Sequence, residues 1–181
     1  MRKLLFAAVA GASLLVALGA GSIALADGNG SSNARAKLNG YNEVTSVSTV
    51  AQGEFRARIN KQAKTIDYTL TYSGIEGGTA FMAHIHFAQE HTNGGISAWL
   101  CGASTTPPTV CPPTGGTVTG TIEESDVLGP ADRGIEPPTA MEELIRAIQA
   151  GATYANVHST RWGGGEIRGQ IRGGGGDDDD D

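Results

Sequence analysis

Residues 53–72 constrain the fold more than any other stretch of this chain. Over residues 53–59, Phe55, Ala57 and Ile59 fall on one face while Glu54, Arg56 and Arg58 fall on the other. Asn60, Lys61 and Gln62 turn the chain, and over residues 65–72 Ile66, Tyr68, Leu70 and Tyr72 alternate with Thr65, Asp67, Thr69 and Thr71. A strict period of two places successive side chains on opposite faces of a strand, so the pattern predicts an antiparallel hairpin buried on one side. A lone hairpin is marginal in water, and its apolar face must find a second layer.

The rest of the chain supplies that layer. Further strands are expected at residues 81–88, 96–100, 117–122, 154–159 and 166–172, each bounded by Gly, Pro or Asn, with a short first strand at 37–38. About eight strands with punctuation at this spacing predict an all-β, Greek-key-like antiparallel sandwich. One helix, residues 139–150, interrupts them. Thr139 with Glu142 reads as a capping box, Met141, Leu144, Ile145 and Ile148 form one apolar stripe, and Gly151 is the stop.

Both ends read as lying outside this fold. Residues 1–26 have the layout of a secretory signal peptide: Arg2 and Lys3, an apolar run, then Ala24-Leu25-Ala26 as a cleavage pattern. No span would remain in the membrane after cleavage. Residues 27–36, rich in Gly, Asn and Ser, read as a disordered leader, and 37–172 as the folded domain. Residues 173–181 are four glycines and five aspartates, read as a disordered tail: solubilising, or a loose site for divalent cations or a basic partner.

Without Arg2 and Lys3 the balance is 11 basic against 19 acidic residues, and −3 once the five terminal aspartates are also set aside. A mildly acidic body gives no footprint for nucleic acid. Cys101 and Cys111 are the only cysteines. In an exported chain they are expected to pair as a disulfide closing a Thr- and Pro-rich loop, with a thiolate metal site as the alternative. Export to a periplasmic or extracellular location is the expectation that follows.

Three of the four histidines fall on strands. His84 and His86 are two apart and leave the same face, with about 7 Å between their Cβ atoms. Phe81, Ala83, Ile85 and Phe87 take the other face, read as the core side, which leaves the imidazoles outward or in a groove. His158 alternates with Tyr154 and Asn156 and would join them if its strand lies alongside. These residues suit one copper or zinc ion, with His91 in a polar loop as a weaker fourth ligand. The bland reading is a hydrogen-bonded network of histidines with Glu166 and Arg168 as a structural polar pair. Ser159 follows His158 but points to the opposite face, which argues against a hydrolytic pair. No phosphate-binding loop, dinucleotide fingerprint or zinc-protease motif is present.

His84-Ile85-His86 after the hairpin, then Tyr154-x-Asn156-x-His158-Ser159, a turn, and Gly165-Glu166-Ile167-Arg168-Gly169-Gln170, resemble the chordin-type (CHRD) domain family. Lys37-Leu38-Asn39-Gly40 with Glu43-Val44 looks like that domain's opening, so the resemblance spans about residues 36–172. The turn at Arg161-Trp162-Gly163 lacks the family's usual Asn-Pro, and the loop from Cys101 to Cys111 looks inserted. The resemblance implies a free-standing exported domain of bacterial type, a binding or envelope protein with an unnamed partner and no assigned catalysis. The layout is also distantly similar to the copper/zinc superoxide dismutase sandwich, which would put His84, His86 and His158 at copper positions. A mononuclear copper or zinc protein, redox-active or scavenging, is the alternative reading.

Overall fold

In this computed structural model the described residues are 31–102 and 109–174. Eight strands form one continuous sheet: β1 (Ser31–Asn39), β2 (Gln52–Asn60), β3 (Thr65–Ser73), β4 (Ala80–Phe87), β5 (Gly95–Cys101), β6 (Gly116–Ile122), β7 (Thr153–Ser159) and β8 (Ile167–Gly173). Their order is β5-β4-β7-β8-β1-β2-β3-β6, and every pairing is antiparallel. The sheet rolls until its two edges, β5 and β6, touch. The fold is therefore all-β, as the alternation required, with the two layers joined as one nearly closed sheet.

The edges meet without a ladder between them. Tyr68 on β3 donates its hydroxyl to the carbonyl of Leu100 on β5 at 2.7 Å, and Tyr72 donates to Pro112 at 2.6 Å. Cys101, the last residue of β5, is bonded to Cys111, with 5.2 Å between Cα atoms. The expected disulfide thus ties β5 to the segment that leads into β6.

The β2–β3 hairpin pairs in register from Gln52↔Ser73 to Asn60↔Thr65, and Phe55, Ile59, Ile66, Leu70 and Tyr72 are buried on its inner face. β1 begins at Ser31, whereas the sequence reading started it at Lys37 and assigned residues 31–36 to a leader. Ala34, Ala36 and Leu38 alternate inward there against Arg35 and Lys37. Two of those three inward residues are alanines, too small to make a strong apolar signal. Residues 1–26, read as a signal peptide, and the aspartate run at 177–181 lie outside the described residues.

The helix α1 (Ala140–Gln149) buries Met141, Leu144, Ile145 and Ile148 and packs on β8. Its end is built as expected: Gly151, at φ 66°, donates to Ile148 O at 3.0 Å and Ala152 to Ala147 O at 2.9 Å. Its start is not. Thr139 makes no capping bond to the backbone and donates instead to Glu143 Oε1 at 2.8 Å, while Glu142 pairs with Lys64 at 2.6 Å. Glu124 instead accepts the first-turn Met141 N–H at 3.4 Å, and Glu143 accepts the Glu136 N–H in the approach to the helix at 3.1 Å.

Candidate metal centre

β4 lies between β5 and β7, and its register with β7 decides the site. Met82 is opposite His158, His84 opposite Asn156, and His86 opposite Tyr154. All six side chains share one face. Against β5 the register slips on both sides of the His84–Ile85 pair, two bulges that bring Trp99 opposite His84.

His84, His86 and His158 converge, with one ring nitrogen from each all lying within 4.8 Å of one another. The expected outward or groove placement is corrected: the rings are 0%, 8% and 5% exposed. Alternation identified their shared face, and loops then cover that face. His86 Nδ1 lies 3.0 Å from Gly94 O in the segment before β5, and His158 Nδ1 lies 3.0 Å from Gly163 O in the turn before β8. Trp99 packs edge-on against His84 with 4.2 Å between ring centroids, and Tyr154 stacks parallel to His86 at 4.7 Å. Phe81, assigned to the core side, is 43% exposed.

Burial controls the charge of these rings. Desolvation, aided by the neighbouring imidazoles, pushes His84 down to about 3. Desolvation likewise brings His158 to about 4 and lowers His86. All three are neutral at pH 7, the state in which imidazole ligates. In a neutral ring, a carbonyl facing Nδ1 fixes the proton there. His86 therefore donates to Gly94 and leaves its Nε2 bare, whereas His158 faces an acceptor at each nitrogen, Gly163 O at Nδ1 and Asn156 Oδ1 at Nε2.

His158 Nε2 lies 3.1 Å from His84 Nδ1 and 3.0 Å from Asn156 Oδ1. His84 Nε2 and His86 Nε2 are buried with no partner. Two nitrogens 3.1 Å apart, each about 2.0–2.1 Å from one ion, would subtend about 100° there, inside the range of ordinary coordination. His91 is not part of the cluster. It is exposed in a turn at φ 62°, where it shapes the loop between β4 and β5.

The final hairpin, with Asn156 and His158 on β7 turning into the Gly165-Glu166-Ile167-Arg168 segment, carries residues whose sequence resembles the chordin-type domain. The CHRD domain model matches residues 34–171. The chain belongs to the CHRD domain family. No curated protein and no solved structure matches it.

Within this CHRD domain Glu166 and Arg168 do not pair with each other. Glu166, fully buried, accepts from Thr49 Oγ1 at 2.9 Å, Glu76 N at 2.8 Å and Gly77 N at 3.1 Å. Arg168, 2% exposed, donates to Asn93 Oδ1, Gln89 O and Thr92 O at 3.2, 3.3 and 2.7 Å. Its guanidinium lies 3.4 Å from the Tyr154 ring centroid, on a ring that also stacks on His86. Arg168 thus holds the loop at residues 89–93 over the histidine face, and Glu166 ties Thr49 and the segment at 76–77 to the start of β8. The sequence marks Glu43 only as part of the domain's opening, whereas it is buried beside the site, near Arg168 and Asn156. Burial lifts its carboxyl to about 7 against the pull of Arg168. It comes from an irregular loop with no period to betray it. Trp99 was missed, whereas the parity of Tyr154 and Asn156 with His158 was legible.

Ser159 Oγ has no hydrogen-bond partner, so it forms no nucleophile–base pair with His158. Among the described residues no helix is long and apolar enough to cross a membrane.

Proposed function

We propose that this chain is an exported CHRD-domain protein that binds a single copper ion, or zinc in its place, through His84, His86 and His158. The observation that carries this reading is the three-histidine cluster itself, in which His86 Nε2 is bare, buried and without a partner beside the close pair His84 Nδ1 and His158 Nε2. Leaving a buried polar atom unpaired costs about 1–3 kcal/mol, and the bare His86 Nε2 is explained if a cation satisfies it. Imidazole donors suit copper and zinc over magnesium or calcium. The second shell supports the same reading: Gly94 and Gly163 carbonyls orient two of the rings through their Nδ1 atoms, as metal-bound histidines are usually held. Three protein ligands would leave a coordination position for water or a small anion, although the depth of the site favours holding or buffering metal over rapid turnover. The disulfide agrees with an oxidising, extracytoplasmic compartment.

The test is retention. Protein lacking residues 1–26 is exposed to Cu(II) or Zn(II), dialysed at pH 7 and analysed for metal. One equivalent is expected, with none in His84→Ala or His86→Ala, and no change when residues 177–181 are deleted. Because the rings resist protonation to about pH 4, metal should persist below pH 6, where solvent-exposed histidines would release it. The competing reading, a binding or envelope protein whose histidines are a purely structural network, is favoured by the 3.1 Å contact between His84 and His158. It predicts no stoichiometric metal in the wild-type chain.

A further inference from the structure

The outer face of β8, β1 and β2 carries an arrangement that strand pairing disfavours. Arg35 on β1 lies directly opposite Arg172 on β8 and directly opposite Arg56 on β2, which sets three arginines in a row across adjacent strands. Like charges placed opposite one another destabilise a sheet. Lys37 lies two residues along one way, and Arg58, opposite Asn33, two the other. All five side chains are exposed, in a chain whose net charge is −6. The acids facing this row are few. Glu54 pairs with Arg56 at 2.9 Å, Glu90 with Arg172 at 2.7 Å, and Asp67 lies opposite Arg58 but accepts from Thr121. Arg35 has no ion pair among the described residues.

The chain leaves β8 beside this row. Gly174 N donates to Asn33 O at 2.5 Å, so Gly174, Asn33 and Arg58 line up across three strands. A cleft of ≈ 570 Å³ opens at that point, and its wall includes Arg35, Lys37, Arg172 and Gly174. Strands are about 4.8 Å apart and rise about 3.4 Å per residue, so Arg58 is about 10 Å from the exit and Lys37 about 14 Å. Glycines follow, then Asp177 to Asp181. Eight residues from Gly174 onward span up to about 26 Å, enough to lay all five carboxylates along the row.

We propose that residues 177–181 dock on the arginine row of their own chain and neutralise it, closing this basic surface to other polyanions. The test replaces all five aspartates by asparagine and compares melting temperatures. In about 20 mM salt the replacement should lower the melting temperature by about 2–5 °C, and in about 0.5 M salt the difference should disappear. In an Arg35→Ser/Arg56→Ser background the same replacement should have no effect. A Gly₃Asp₅ peptide should bind the asparagine variant in low salt and fail to bind once the two arginines are gone. The proposal is overturned by an unchanged melting temperature in low salt, or by an equal loss in the arginine-free background. An effect that needs added Ca²⁺ overturns it in favour of a cation site. One that grows with protein concentration alongside a sedimenting dimer overturns it in favour of docking on a second copy.

Discussion

The β2–β3 hairpin and the β4–β7 pair are built from the same strand geometry but stand in opposite surroundings. Along β3 buried and open positions alternate, with Asp67, Thr71 and Ser73 exposed and Thr65 and Thr69 half-buried. Along β7 every residue from Thr153 to Ser159 is buried, so polar Asn156, His158 and Ser159 lie as deep as Val157. A strand wet on one face can carry charge cheaply. A strand dry on both faces can carry polar groups only if partners are built around each one. The hairpin is where the chain folds by pattern, and the β4–β7 pair is where it has spent that stability on a specific constellation.

The largest test of this contrast deletes a buried charge and an exposed one. Arg168→Ala strips the loop at residues 89–93 of three bonds and should cost about 3–5 kcal/mol in denaturant unfolding. Arg56→Ala removes a guanidinium that is 71% exposed and should cost under about 0.5 kcal/mol. Equal losses would erase the distinction between the two regions.

Acid should act through the dry pair. His158 titrates near 4 when folded and near 6.5 when unfolded, so the unfolded chain binds the proton first as pH falls. Stability is fully present above pH 6.5 and declines toward pH 4, by about 3 kcal/mol from this residue alone. Melting of the metal-free protein between pH 7 and 4 measures the slope, which His158→Gln should flatten. An unaltered slope in that variant would move the acid sensitivity elsewhere.

A subtler comparison lies within one turn. A Cβ on Gly165, at φ 132°, would run into Glu43 and Asn156, whereas one on Gly163 meets nothing within 4 Å. Gly165→Ala should cost about 1–3 kcal/mol and Gly163→Ala under about 0.5 kcal/mol, read from paired thermal melts. At the bottom of the scale, Thr71→Ala on the exposed hairpin face loses only its 3.0 Å contact with Thr117 and should fall within about 0.5 kcal/mol of wild type.

This contrast also explains what could be read from the sequence. Alternation in β2 and β3 gave the hairpin and its inward residues, because one wet face and one dry face leave a period of two in the residue types. The same rule put His84, His86 and His158 on one side of their strands and the structure brings them together. It failed on depth, since the cover over that side comes from Gly94, Gly163 and the Arg168-bound loop, whose residues carry no periodic mark. The capping box at Thr139 and Glu142 failed for a related reason. Lys64, distant in sequence, claims Glu142, and a local motif yielded to a long-range partner.

The seam between β5 and β6 gives the cluster a dependence on chemistry outside it. β5 is an edge strand, it carries Trp99, and its last residue is held by the one covalent tie that crosses toward β6. If a reductant cuts that tie, the strand free to lift is the one whose indole walls off His84. The redox poise of the surroundings would then set how readily water reaches the imidazoles, and one sulfur–sulfur bond would act as the gasket of the histidine site.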